Sequence, residues 1–304
     1  MTTLSVNPAP TLVPIYIRLV LMAALWAGTF VAGRIVSLEI PPLLAAIGRF
    51  GLAVVGLLFL AKWQEGGLPR LSLRQAVVTF FLGVTGVFLY NLLFLAALSE
   101  LPASRTATFV AFGPVVVALI MVGSFQERLS AIRWIGVSLT MFGALLIISR
   151  GDLSGMASDL GRSLGRGEVS MILAVIFWAF YTIIGRRALA DMSALAATTY
   201  AAMWGLALLV VAQLISQPQI PVADISLQSV AAIVYLAIGG TVVPFVWYYR
   251  GVAEIGPART SVFTNFVPAF GVLFGVVLLG EPLLISMLIG GAFVICGVTL
   301  TNRE

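Results

Sequence analysis

The chain has 304 residues, of which 61% are hydrophobic and only 10% are charged, with a mean hydropathy of +1.10 and a net charge of +5. Charged residues near a quarter are usual in soluble domains, so this composition excludes a soluble globular protein and indicates a membrane protein. The basic residues stand singly between apolar runs, which favours a role in membrane topology over nucleic-acid binding. The single cysteine, Cys296, allows no intramolecular disulfide, and there is no histidine.

Apolar runs of about 18 to 25 residues recur along the whole chain, and each is long enough to cross a bilayer as a helix. The alternation typical of transmembrane strands is absent. No small-residue cleavage site follows the first run, so no removed signal peptide is predicted. We predict ten transmembrane helices, at about 15–35, 43–61, 75–98, 103–125, 131–149, 169–185, 194–215, 228–249, 258–279 and 284–301.

The chain is an internal duplication. Residues 151–167, rich in Gly, Ser and Asp, form the one long predicted linker, between a five-helix repeat over 1–150 and a second over 168–304. Eleven positions of the first repeat recur in the second at a constant offset of 154 residues: Glu100/Glu254, Arg105/Arg259, Thr106/Thr260, Phe109/Phe263, Phe112/Phe266, Pro114/Pro268, Leu119/Leu273, Glu127/Glu281, Leu129/Leu283, Gly136/Gly290 and Gly143/Gly297.

The number of helices in each repeat determines how the repeats are oriented. Five is odd, so the second repeat is predicted to be inverted in the membrane relative to the first. With the N-terminus in the cytoplasm, eleven basic residues fall on the cytoplasmic side and six on the other, which favours both termini inside. Inverted repeats around a central site are typical of transporters that work by alternating access. A duplicated helical bundle with another role is the alternative.

Aromatic and hydroxyl side chains share a helical face in each half. Trp26 and Thr29 do so on the first predicted span, and Trp178 and Tyr181 on the sixth. This combination suits a pocket for a partly apolar solute, although an aromatic residue can also belong to an interfacial belt. Further candidates for the pocket are Trp204, Trp247, Tyr248 and Tyr249.

Prolines interrupt three predicted spans. Pro114 and Pro268 lie mid-span, where each removes a backbone N–H and frees the carbonyl four residues earlier. Such breaks are expected to face protein or a wet cavity, so we predict that they line or gate a site. Pro244, in the eighth span, corresponds to Tyr90 in the first half. A simple packing kink is the alternative reading of each proline.

Polar side chains are few within the spans. Asn91, Thr264 and Asn265 either join helices or contact a substrate. No acidic or basic residue is predicted at mid-bilayer, so no proton relay is visible, and a neutral or zwitterionic solute is favoured over a strongly anionic one. Arg49, a few residues into the second span, either holds a carboxylate or lies at the lipid interface.

Small residues predict close helix packing, within one chain or across a dimer. The glycines stand seven apart in the fifth and tenth spans and four apart in the ninth. These are Gly136, Gly143, Gly290, Gly297, Gly271 and Gly275.

The repeated segments also carry a family resemblance. The segments LPASRTATFVAFGPVVVALIMVGSFQERLS and IGPARTSVFTNFVPAFGVLFGVVLLGEPLL, with the Trp-Ala pairs at 26–27 and 178–179, resemble the EamA-type members of the drug/metabolite transporter superfamily. Within that superfamily, the chain is similar to YddG-like amino-acid exporters. One departure is Gln126-Glu127 in the first half, where the second has Gly280-Glu281. The resemblance implies a secondary carrier or exporter of amino acids and small metabolites, without an ATPase.

We therefore predict an all-α membrane protein with ten transmembrane helices in an inverted 5+5 repeat. It is expected to transport amino acids and related metabolites across the bacterial inner membrane as a monomer, without a cofactor, a metal or nucleic acid. Another neutral or cationic metabolite or drug is the alternative solute, and an intramembrane enzyme is the alternative class, although the predicted spans contain no GxSxG or HExxH motif. The predicted site comprises Trp26, Thr29, Tyr90, Asn91, Trp178, Tyr181, Thr264 and Asn265, with helix breaks at Pro114, Pro244 and Pro268.

Overall fold

The computed structural model describes residues 13–113, 115–117, 119–120, 130–149, 151–154, 164–216, 225–255 and 263–301. Every regular element within these ranges is helical. The helices of the first half are α1 (Val13–Glu39), α2 (Pro42–Glu65), α3 (Leu73–Glu100), α4 (Ala103–Phe109) and α5 (Ala131–Ile148). Those of the second half are α6 (Arg166–Ala188), α7 (Ala194–Ser216), α8 (Leu227–Ala237, continued by Ile238–Val242 and Val243–Ile255), α9 (Phe266–Leu279) and α10 (Ile285–Thr301).

Six of the described helices are long and apolar enough to cross a membrane, with mean hydropathies between 1.8 and 2.3. They are α1, α2, α3, α6, α7 and α8, and shorter apolar helices occur in α5, α9 and α10. Large apolar side chains such as Phe59, Ile215 and Leu227 are exposed on the outside of the bundle. This outer surface is suited to lipid rather than to water.

Helix ends follow local signals in the sequence. Pro42 occupies the first turn of α2, and Gly66 ends that helix in the left-handed conformation, with φ of 75°. The Ser72 hydroxyl caps α3 by accepting from the Gln75 N–H, and the Gln75 side-chain oxygen accepts from the Ser72 N–H. Ser226, 154 residues later, caps α8 in the same way by accepting from the Ser229 N–H. The duplication therefore extends to the helix caps.

Both α3 and α8 contain a π-helical turn at mid-length. It covers Gly83–Leu89 in α3 and Ile238–Val242 in α8. A π turn displaces carbonyl groups from the regular hydrogen-bond ladder and is frequent at functional sites. The Asn91 amide donates to the Gly86 and Val87 carbonyls at 3.1 and 2.9 Å. The Thr241 hydroxyl donates to the Leu236 carbonyl at 3.1 Å.

The predicted proline breaks coincide with local changes of helix type. A 3-10 turn, Phe263–Asn265, precedes α9, and Pro268 follows it in a buried position. A second 3-10 turn, Val110–Phe112, lies at the corresponding place in the first half, whereas Pro114 itself lies outside the described residues. Pro244 is buried directly after the π turn of α8.

The glycine-rich faces pack within the chain. A Cβ atom at Gly143 of α5 would lie 2.5 Å from the Gly290 carbonyl oxygen of α10, and one at Gly297 would lie 2.6 Å from the Gly136 carbonyl oxygen. A Cβ at Gly275 of α9 would lie 2.8 Å from the Ser104 Cβ of α4. Of the two predicted possibilities, the structure therefore supplies intrachain contacts for these glycines.

Side-chain contacts define two opposite faces of the bundle. On the α2–α3 face, Glu65 accepts from the Ser193 hydroxyl at 2.8 Å, close to the turn between α6 and α7. On the opposite face, Glu39 at the end of α1 accepts from the Ser226 N–H at 3.0 Å. We call this opposite face the linker face. The linker face also includes the start of α4, because a Cβ at Gly167 of α6 would touch Leu101.

Candidate functional site: a central cavity closed on one face

A cavity of about 560 Å³ lies at the centre of the bundle. Its lining comes from both halves of the chain, including α1, α2, α3, α6, α7 and α8. Leu189 and Thr198 line it next to the α6–α7 turn, so the cavity extends to the α2–α3 face. This volume lies within the usual range of small-molecule sites in proteins.

The structure brings most of the predicted site residues to this cavity. Pro268 lines it, and so does Tyr248, one of the further aromatic candidates. Arg49, predicted either to hold a carboxylate or to lie at the lipid interface, also lines the cavity. Because its side chain is buried, the second of these two predictions is wrong. The predicted substrate-binding residues in the lining are Trp26, Thr29, Tyr90, Asn91, Trp178, Tyr181 and Thr264.

Other candidates lie elsewhere. Pro244 is buried but does not line the cavity, and Trp204 is exposed on α7, where its ring packs edge-on against Phe80 at 5.7 Å. Trp247 is half-buried outside the lining. The side chains of Asn265 and Tyr249 lie outside the described part of the chain.

Two groups of aromatic rings form part of the cavity wall. Trp178 stands between Tyr90 and Tyr181, with ring centroids at 5.0 and 5.1 Å. Trp26 contacts Phe245 and Tyr248 at 5.8 and 5.7 Å. Each group joins the two sequence halves, since Tyr90 and Trp26 belong to the first half. Rings at these distances form a continuous apolar surface with hydroxyl groups at its edges.

Gly86 makes room for one of these rings. A Cβ atom at this position would overlap the Tyr181 ring, so only glycine allows α3 and α6 to approach this closely. The position of the Tyr181 ring therefore depends on a residue of the other half.

Arg49 is the polar centre of the cavity. It is 7% exposed, and its Nη1 donates to the Asn91 Oδ1 at 2.9 Å. Its Nε and Nη2 donate to the Thr241 hydroxyl at 3.4 and 3.3 Å. The Asn91 and Thr241 side chains also donate to backbone carbonyls at the two π turns. Each of them is therefore held by the backbone of its own helix and by the Arg49 guanidinium. Thr241 was missed by the sequence analysis, since no pattern links it to a residue 192 positions away.

At the linker face, the carboxylate of Glu281 binds the N-terminal end of α4. The Glu281 Oε1 and Oε2 accept from the N–H groups of Ala103 and Ser104 at 2.7 and 2.8 Å. The first N–H groups of a helix have no intrahelical acceptor, and the helix dipole favours a negative charge there. Glu281 follows α9, so this contact joins the second half to the first.

A buried ion pair adds to this closure. Arg105 Nη2 and Glu168 Oε1 are 2.8 Å apart, and their side chains are only 3% and 6% exposed. They join α4 to α6, again across the halves. On the α2–α3 face, the described ion pair between Arg74 and Asp191 is long, at 3.8 Å, and exposed. Buried polar contacts thus hold the linker face shut, whereas solvated contacts border the open end of the cavity.

The fold and the cavity define a multi-pass helical membrane protein with a central, solute-sized cavity. The chain belongs to the EamA-like transporter family, whose model matches residues 14–149 and 165–303. The matched segments together cover most of the chain. This family consists of transporters, which supports a general role for the chain in moving a small molecule across the membrane.

Relatives support this assignment over nearly the whole length. An uncharacterized transporter of Archaeoglobus fulgidus is 30% identical over 95% of this chain and 97% of its own. The uncharacterized transporter YyaM of Bacillus subtilis is 27% identical, over 93% and 92%. The uncharacterized inner membrane transporter YedA of Escherichia coli K12 is 25% identical, over 90% and 85%. A solved crystal structure matches 95% of this chain and 97% of its own with a TM-score of 0.66 at 16% identity, which supports the fold.

Proposed function

We propose that this protein is a secondary carrier that exports amino acids and related small metabolites across the inner membrane by alternating access. The observation that carries the proposal is a central cavity built from both halves, open towards the α2–α3 face and sealed at the linker face. A carrier needs a site that opens to one side at a time, and such sites in inverted-repeat transporters lie between the repeats.

The proposed architecture has ten transmembrane helices in an inverted 5+5 arrangement. Features that recur at matching positions support it. Ser72 and Ser226 cap α3 and α8, both helices contain a π turn, and a 3-10 turn precedes Pro114 and Pro268. A repeated local conformation at a fixed offset is expected if both halves descend from one five-helix unit.

The proposed direction follows from the orientation. With the eleven basic residues of the majority side in the cytoplasm, both termini and the α2–α3 face are cytoplasmic. The cavity then opens to the cytoplasm in this structure and loads solute from inside the cell. Release to the outside requires the contacts of Glu281 and Arg105 to separate while the cytoplasmic end closes.

The test is flux by the purified full-length protein in sealed liposomes. We expect labelled phenylalanine to enter by counterflow, to saturate with concentration and to be competed by unlabelled neutral amino acids. The same vesicles with an imposed pH gradient report whether transport is proton-coupled. Absence of flux for every neutral amino acid would contradict the amino-acid assignment, linear flux would indicate a channel, and a chemically altered product would indicate an enzyme.

A further inference from the structure

The charge distribution around the cavity is one-sided. Among the residues that the structure describes in the lining, Arg49 is the one with a charged side chain, and none is acidic. Its hydrogen-bond acceptors are the neutral Asn91 amide and Thr241 hydroxyl. No described carboxylate lies within 4 Å of its guanidinium. A buried positive charge without a negative partner is costly, so its retention in a protein interior calls for an anion.

The guanidinium is positioned for a ligand. Its three described hydrogen bonds use one N–H each of Nε, Nη1 and Nη2, while an arginine has five N–H groups in a planar fork. A Cβ atom at Gly240 would lie 2.6 Å from the Thr29 Cγ2 and 3.6 Å from the Arg49 Nη2, so this glycine lets Thr29 and the guanidinium lie close to the backbone of α8. Arginine binds carboxylates through paired, parallel hydrogen bonds.

The rest of the cavity suits an apolar body. Tyr90, next in sequence to Asn91, begins the group of rings that continues through Trp178 to Tyr181. Aromatic surfaces bind rings and aliphatic chains by stacking and by burial of apolar area. The aromatic faces also attract a cation, but more weakly than a carboxylate partner does.

From these observations we propose that the cavity selects monocarboxylates with an aromatic or apolar body, with Arg49 binding the carboxylate. This rests on the proposed carrier function and refines its solute class. A zwitterionic amino acid would place its ammonium group in a described lining that offers no acidic side chain. The carboxylate without the ammonium group is therefore the better ligand.

Four matched probes test the selection: 3-phenylpropionate, phenylalanine, 3-phenylpropan-1-ol and phenethylamine. Binding to the purified protein in lipid nanodiscs is followed by tryptophan fluorescence, because Trp26 and Trp178 line the cavity. We expect 3-phenylpropionate to bind most tightly, phenylalanine less tightly, and the alcohol and the amine about tenfold or more weaker than 3-phenylpropionate. Equal binding of the alcohol and the carboxylate, or no binding of the carboxylate, would overturn the proposal.

Variants assign the effect to the guanidinium. Arg49→Gln should bring the affinity for 3-phenylpropionate down to that for the alcohol, and Arg49→Lys should give an intermediate value, because lysine keeps the charge but loses the fork. Arg34→Gln is the matched control, since Arg34 lies on α1 outside the lining and donates to the Leu98 carbonyl. A carboxylate preference that survives Arg49→Gln would overturn the proposal.

Failure of this inference is distinct from failure of the proposed function. Saturable flux of a labelled solute together with equal binding of the carboxylate and the alcohol would leave the carrier intact and remove the role of Arg49. Carboxylate selectivity that depends on Arg49, without flux of 3-phenylpropionate or of any amino acid, would keep the binding site and contradict transport.

Discussion

The two faces of the bundle are closed to different extents and by different chemistry. At the linker face, the Glu281 carboxylate and the Arg105–Glu168 ion pair join the halves through buried or partly buried contacts. At the α2–α3 face, Arg74 and Asp191 are solvated, and the cavity reaches the surface nearby. The comparison teaches that the described conformation is maintained mainly at the face away from the cavity opening.

The largest expected effect comes from breaking the buried ion pair. Glu168→Leu leaves Arg105 charged without its buried carboxylate, which should lower the free energy of unfolding by about 3–5 kcal/mol. The double variant Arg105→Met/Glu168→Leu should recover much of this loss, because it removes both charges. Thermal unfolding in lipid nanodiscs measures both. A double variant no more stable than Glu168→Leu would show that the pair is not what holds α4 to α6.

The second effect is smaller and concerns the start of α4. Glu281→Ala removes the acceptor of two backbone N–H groups, with an expected loss of roughly 1.5–3 kcal/mol for a hydrogen bond to a charged group. Hydrogen–deuterium exchange at Ala103 and Ser104 should therefore become faster. Glu65→Ala, at the opposite face, is the control and should leave exchange at these two amides unchanged. Unaltered exchange in Glu281→Ala would remove this contact from the closure.

The third effect tests the cavity wall rather than its closed end. Gly86→Ala places a methyl group where the Tyr181 ring lies, so overpacking should cost about 1–3 kcal/mol and weaken solute binding. Gly51→Ala, on α2, meets nothing within 4 Å and should be neutral or stabilise by up to about 1 kcal/mol through helix propensity. Thermal unfolding and fluorescence titration report on both. Equal behaviour of the two variants would mean that the α3–α6 approach does not shape the cavity.

Sequence patterns predicted much of this architecture because apolar runs and helix signals are local. The predicted spans at 15–35, 43–61 and 194–215 agree within a few residues with α1, α2 and α7. The helical spacing of Trp178 and Tyr181 also predicted that they share one face of α6, and both line the cavity. Their role in binding a solute stays a prediction.

Other features depend on contacts that no local pattern reveals. The Arg49–Thr241 bonds join α2 to α8, and the Glu281 cap joins residues 178 and 177 positions apart. The π turns arise where polar side chains can cap displaced carbonyls, and no single residue type marks them. Consequently, the sequence alone could not decide whether Arg49 holds a carboxylate or lies at the lipid interface. Only the tertiary packing shows that its side chain is buried.

The most direct test of alternating access measures both faces in one molecule. In a Cys296→Ser background, spin labels at Leu38 and Leu283 report on the linker face, and labels at Leu73 and Leu189 report on the α2–α3 face, since all four side chains are exposed. Double electron–electron resonance gives both distances in the labelled protein with and without the Glu281→Ala substitution. We expect the substitution to lengthen the distance between the linker-face labels and to shorten the distance between the labels at the α2–α3 face. A longer linker-face distance with an unchanged α2–α3 distance would mean local loosening and would contradict alternating access.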